Sequence, residues 1–246
     1  MKITHCFECA GRPCRIEIVA PAQDDAPRED ALLPSQPALA PQVLLLEPID
    51  EHDLNFLGRE TAYLAQHAKQ PFALVTFLVN DWNRELTPWP AEAVFGREPF
   101  GAGSGETLRF ITDELISRLE ELDPALRGLG VMLGGYSLAA LFALWAGYES
   151  DRFAAIAAAS PSVWYPGWMD FARTHRPRAG RIYLSLGDCE ERTRNRVMAS
   201  VASCIREQAA LLDRQGIPSL LEWNPGNHFQ DTDLRTAKAF LWAMTL

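Results

Sequence analysis

GGYSLAALFALW, residues 134–145, passes from two glycines through a tyrosine and a serine straight into small and apolar residues. Before it, Leu129 to Leu133 is a short apolar run, the composition of a parallel strand covered on both faces. After it, the apolar residues continue with helical length and no breaker. A strand therefore ends and a helix begins with almost no turn between them, and Ser137 occupies the junction. So tight a bend forces the serine into strained backbone, where side chains two positions to either side would collide. Gly135 and Ala139 avoid that collision.

The same alternation extends outward in both directions. VLLLEPI (Val43–Ile49) and PFALVTFLVN (Pro71–Asn80) read as buried strands, with DLNFLGRETAYLAQHA at helical spacing between them. A long irregular segment, DWNRELTPWPAEAVFGREPFGAGSGE, precedes the amphipathic helix TLRFITDELISRLEEL. Beyond Trp145, FAAIAAAS (Phe153–Ser160), RIYLSLG (Arg181–Gly187) and SLLEW read as strands. RVMASVASCIREQAALLDRQG, closed by Gly216, and FQDTDLRTAKAFLWAM read as helices. Strands alternating with helices predict right-handed crossovers and a mostly parallel central sheet with helices on both faces. Residues 2–19 alternate polar and apolar around a turn at Gly11-Arg12-Pro13, which predicts an N-terminal antiparallel edge hairpin. Ala20 to Gln42 is rich in Pro, Ala, Asp and Gln without a sustained period, and predicts an exposed loop. No internal repeat or boundary divides the chain, so residues 1–246 are expected to form one α/β domain.

Bulk composition narrows the function. The chain has 246 residues and a formal net charge of −9. That charge argues against a nucleic-acid partner, because a phosphate-backbone binder needs a basic surface. No run approaches the twenty apolar residues of a membrane span, and MKITHCFECAGRPCRIEIV lacks the apolar middle of a signal peptide. Five cysteines, an odd count in a chain too long to need staples, suggest free thiols in a reducing, cytoplasmic setting. Cys6 and Cys9 form a C-x-x-C with Cys14 nearby, but no second ligand pair follows at zinc spacing. They read as ordinary strand cysteines, and neither a metal nor a cofactor is expected.

Gly135-Tyr136-Ser137-Leu138-Ala139 is a variant of the nucleophile-elbow pattern G-x-S-x-G. Its bend would hold the Ser137 hydroxyl proud of the sheet, above a helix N-terminus that favours a developing oxyanion. A serine needs a base to become a nucleophile, and the base needs an acid to orient it. His228 lies in EWNPGNHFQD, past the last strand and before the last helix, in a loop forced by Pro225 and Gly226. That places it at the carboxyl edge of the sheet, where open α/β folds bind ligands. The acid should follow Arg181–Gly187. Glu190 suits a carboxylate looping back toward the serine, and Asp188 would serve if the turn is tighter. The oxyanion would be held by the Leu138 N–H and by an N–H of Ile49 or Asp50, after the first central strand.

GGYSLAALFALW, ASPSVWYPGW, YLSLGDCEERTRN and EWNPGNHF before a final helix together resemble the serine esterases of the α/β-hydrolase superfamily. More narrowly, they are similar to the group related to esterase D and the enterobactin-type siderophore esterases. DWNRELTPWP is similar to that group's substrate-side segment. The resemblance spans roughly residues 43–246. It implies an α/β-hydrolase fold and hydrolysis of a small-molecule carboxylic ester without a cofactor. Ser137 would be the nucleophile, His228 the base and a carboxylate of the GDCEE stretch the acid. Two departures stand out: Ala139 and Ala140 replace glycines common in the wider family, and Glu47-Pro48-Ile49-Asp50 replaces an Asp-Gly oxyanion loop.

Several aromatic and charged residues converge on the same sheet edge. Tyr136, Trp82, Arg84 and Trp164 are candidate substrate contacts, with Trp89, Tyr165 and Trp168 either lining the cleft or packing beneath its loops. Arg84 could meet a substrate carboxylate or pair with Asp81 or Glu85. A carboxylesterase working through an acyl-enzyme is the leading expectation. An acyltransferase or peptidase on the same three residues, and a catalytically silent binding protein of the same fold, are the alternatives.

Overall fold

A computed structural model describes residues 1–22 and 40–245; most of the expected loop at 20–42 lies outside them. The strands are β1 (Lys2–Cys9), β2 (Arg12–Val19), β3 (Val43–Ile49), β4 (Phe72–Leu78), β5 (Gly130–Tyr136), β6 (Phe153–Ala159), β7 (Ile182–Gly187) and β8 (Ser219–Asn224). They form one sheet in the order β1-β2-β4-β3-β5-β6-β7-β8. The pairs from β4 through β8 are parallel, and β1 and β2 form an antiparallel edge. Every residue of β3 is buried, as a strand covered on both faces requires.

Successive residues of each central strand face opposite cores. Leu44, Leu46, Val131, Leu133, Ile156 and Ala158 belong to one core, which takes in α5 (Leu138–Glu149) and α7 (Val201–Arg214). Val43, Leu45, Met132, Ala155 and Ala157 belong to the other, closed by α8 (Thr232–Ala243), which also packs on α1 (Leu57–His67). Leu141, Phe142 and Leu144 of α5 are fully buried. At about 1.5–3 kcal/mol each, burial rather than helix propensity holds this apolar helix under the sheet.

Local geometry differs from the sequence expectation in three places. The hairpin turns at Ala10-Gly11, both with positive φ (48° and 76°), rather than at Gly11-Arg12-Pro13. Two positive-φ residues match the twist of a two-residue hairpin. Pro13 is then free to sit inside β2, because pairing of β2 with β4 begins only at Cys14. The helix over TLRFITDELISRLEEL starts earlier, at Ser104, and is continuous through α3 (Ser104–Arg109), a π-turn at Phe110–Leu115 and α4 (Ile116–Leu122). The helix expected from Arg196 instead becomes α-helical at Val201, after a 3₁₀ turn.

The elbow is built as the steric argument requires. Gly135 has φ +153°, and a Cβ there would lie 2.7 Å from Ala139 Cβ. A Cβ on Gly134 would lie 2.6 Å from the Phe240 ring, so α8 rests directly on the β5 backbone. Short elements complete the edge above the strands: a 3₁₀ turn at Asp53–Asn55, α2 (Trp82–Glu85) and α6 (Trp168–Thr174).

Candidate active site

Ser137 stands between β5 and α5 with φ 59° and ψ −117°. For a non-glycine residue this backbone costs roughly 1–3 kcal/mol, and surrounding structure must hold it. Its N–H donates to Ala159 O at 3.2 Å, while its carbonyl accepts from Ser162 N (3.1 Å) and Leu141 N (3.0 Å). The strain is thus pinned by the end of β6, the loop after it and the first turn of α5.

The Ser137 hydroxyl lies 3.0 Å from His228 Nε2 and 3.3 Å from Ser162 Oγ. His228 Nδ1 lies 2.7 Å from Glu190 Oε2. The second oxygen of Glu190 accepts from Gly187 N (2.7 Å), Ser160 Oγ (2.8 Å) and Arg235 Nη1 (3.0 Å). Arg235, 2 % exposed on α8, also reaches Tyr136 OH at 3.1 Å and Pro225 O at 2.9 Å. Tyr136 OH in turn donates to the His228 carbonyl at 2.8 Å. Burial and the nearby Glu190 charge push this phenol up to about 12, so it remains a neutral donor. One buried guanidinium therefore ties the acid, the tyrosine before Ser137 and the loop bearing His228 into a single network.

A cavity of about 450 Å³ opens at Ser137 and His228, with Tyr136, Trp82, Phe56 and Phe229 among its lining residues. Phe229 is 86 % exposed, at its rim. The first backbone N–H groups of α5, beginning with Leu138, have no intrahelical partner and follow Ser137 at the head of the helix.

The family model described as "Putative esterase" matches residues 32–230. The chain belongs to this esterase family. No curated protein matches the esterase in sequence. Its fold is similar to that of an IroE-like serine hydrolase from Shewanella oneidensis (TM-score 0.72, 15% identity, covering 98% of this chain and 79% of that one). It is also similar to the siderophore hydrolase EstB from Aspergillus nidulans (0.70, 15%, 98% and 93%). A third such structure is the enterobactin hydrolase IroE in complex with DFP (0.64, 16%, 98% and 94%). Identities this low speak to the fold alone. Together with the family match, they give the esterase an α/β-hydrolase fold. Among the described residues no helix is long and apolar enough to cross a membrane.

The structure brings together Ser137, His228 and Glu190 of the esterase and sets Asp188 apart. Asp188 accepts from Gly226 N at 2.9 Å, which holds its carboxyl below the usual range and braces the loop before His228. Ile49 and Asp50 line the cavity, but the Asp50 amide donates to Asp53 Oδ2 at 3.2 Å. Tyr136 and Trp82 line the cavity as well. Arg84 does not; it pairs with Glu106 at 3.3 Å and borders a separate cavity shared with Trp82. Trp164 is buried against Phe95 and Phe100. Trp168 is fully buried, its indole N–H on Gln208 at 3.1 Å. The cysteines fit the plain strand reading: burial raises the Cys9 thiol and pushes Cys14 up to about 12, leaving both unreactive.

Sequence reasoning missed Arg235, Ser160 and Ser162. Arg235 carries no motif and looks like a solvated helix residue. Ser160 had a signal, for it ends a strand of small residues and precedes a proline. It sits fully buried at φ 43° with its hydroxyl on Glu190.

Proposed function

We propose that the protein hydrolyses carboxylic esters through an acyl-enzyme, with Ser137 as nucleophile, His228 as general base and acid, and Glu190 as the orienting carboxylate. The observation that carries this reading is the unbroken chain Ser137 Oγ, His228 Nε2, His228 Nδ1, Glu190 Oε2 at 3.0 and 2.7 Å. Ser137 Oγ attacks the ester carbonyl while its proton passes to His228 Nε2. The tetrahedral intermediate then expels the alcohol, which leaves with that proton. Water repeats the sequence on the acyl-serine and releases the acid, regenerating the serine. Glu190 stabilises the imidazolium formed in each half-reaction, and Arg235, Gly187 N–H and Ser160 hold Glu190 in place.

The Leu138 N–H at the head of α5 serves the oxyanion, with a second donor from the Ile49–Asp50 segment. The amide of Asp50 engages Asp53, and Ile49 is the last residue of β3, paired with Leu78 of β4, with its carbonyl accepting from Val79 N at 2.9 Å.

The test is fluorophosphonate labelling and ester turnover of wild type against Ser137→Ala. Label on Ser137 and turnover abolished by the substitution are expected. Folded wild-type protein that neither takes the label nor cleaves any ester overturns the reading in favour of a binding protein. Faster deacylation by an added alcohol or amine than by water would assign an acyltransferase instead.

A further inference from the structure

Away from Ser137, the same cavity is walled by acid. Glu47, Asp53, Glu60 and Asp233 all line it. Glu47 shares the β3 face of Val43 and Leu45, under α1 and α8. Glu60 comes from α1, Asp233 from the first turn of α8 and Asp53 from the 3₁₀ turn. Glu47, Glu60 and Asp233 are 5, 3 and 4 % exposed. One oxygen of each (Glu47 Oε2, Glu60 Oε1 and Asp233 Oδ2) has no hydrogen-bond partner. Glu47 and Glu60 lie close enough for each carboxyl to act on the other's titration. Burial, then the neighbouring acids, pushes Glu47 up to about 8 and raises Glu60 well above the usual range. Burial likewise pushes Asp53 up to about 6.

Protonation relieves Glu47 and Glu60 of charge but leaves one oxygen of each, and one of Asp233, without a hydrogen-bond donor, a deficit that an N–H-bearing cation in the cavity would meet. Arg59, a lining guanidinium, is about half exposed and engages the outer side, with Nη2 on Asp231 at 2.8 Å and Nη1 on Asp233 Oδ1 at 3.3 Å. Asp50 and His52, with Tyr136 and His228 on the Ser137 side, complete the charged and titratable lining. Among the described residues no three His, Cys, Asp or Glu side chains gather closely enough to hold a metal ion. The carboxylates are spread too widely for one small inorganic cation. An alkylammonium fits better: it has three N–H donors on an apolar stem, and Ile49, Phe56 and Trp82 give that stem apolar wall in the same cavity as the acids and Ser137.

We infer that this acidic region, centred on Glu47 and Glu60, is a specificity subsite for a primary ammonium group carried by the ester substrate. The inference deepens the serine-esterase reading and rests on it for the word substrate, though not for the cation site. A bound cation favours the ionised form of Glu47 and Glu60, so protons that burial keeps on them are released to solvent.

The first arm of the test is a ladder of p-nitrophenyl ω-ammonium esters, β-alanyl to ε-aminocaproyl, each against the isostere with methyl in place of ammonium. At one chain length the wild type should favour the ammonium ester by about tenfold or more in kcat/KM. In the double variant Glu47→Gln, Glu60→Gln that ratio should fall to about one. The second arm is calorimetry of n-pentylammonium on Ser137→Ala protein, which needs no turnover and no glutamate variant to fold. Binding is expected, with a heat that depends on the buffer's ionisation because a proton is released. No preference at any length, a preference that survives the double substitution, or no calorimetric binding would each overturn the subsite. Neutral esters cleaved without n-pentylammonium binding would remove the subsite and leave the esterase. Binding without cleavage or fluorophosphonate labelling would do the reverse.

Discussion

His228 can serve two partners because its ring nitrogens face opposite ways, Nε2 toward Ser137 and Nδ1 toward Glu190. That makes the carboxylate's role separable from that of its neighbour. Glu190→Gln should lower kcat by about 10²–10⁴-fold, since an amide neither selects the tautomer nor stabilises the imidazolium. Asp188→Asn should cost less than about tenfold, because Asp188 braces Gly226 and does not touch the imidazole. Steady-state kinetics on one activated ester compares them. Arg235→Met is a sharper test of the network. It leaves Glu190 buried without its cation, and should cost about 3 kcal/mol in urea unfolding as well as lowering kcat. Two acids in GDCEE were open alternatives in the sequence. The structure separates them because the turn after β7 brings Glu190 back so that its own carboxylate accepts from Gly187 N. A chain of letters does not reveal which of two nearby side chains a turn directs inward.

At the scale of elements, the elbow depends on two glycines with different neighbours. Gly135 makes room within the turn, for Ala139, whereas Gly134 makes room between elements, for Phe240 of α8. Gly134→Ala should therefore destabilise by about 1–3 kcal/mol through overpacking. Phe240→Leu in the same chain should return part of that loss, read as a shift in the urea midpoint. The strand–serine–helix unit was legible because its steric demand is local: small residues at fixed offsets, a covered strand before, an apolar helix after. Element order was legible for the same reason, being periodicity written into contiguous residues. Less legible were the details that a few local angles decide, such as the hairpin turn at Ala10-Gly11 and the π-turn at Phe110–Leu115.

Across the whole molecule, the buried acids give a pH signature. Glu47 is pushed up to about 8 from an ordinary value of 4.5. The folded state thus holds a proton that the unfolded chain releases. This contribution is fully present below the ordinary value and is lost as pH rises through about 8. Urea midpoints should fall across that window, and Glu47→Gln should flatten the slope. What the sequence by itself determined was the kind of sheet, the serine at its sharpest bend and the histidine in its last loop, because these follow from periodicity, small-residue spacing and chain order. Only the tertiary structure decided that Glu190 faces His228, that Arg235 from the last helix binds that acid, that Arg84 and Trp164 point elsewhere, and that Glu47 and Glu60 meet. Those contacts join residues far apart in the chain, and their partners are set by how α1, α8 and the loops settle on the sheet rather than by any local rule.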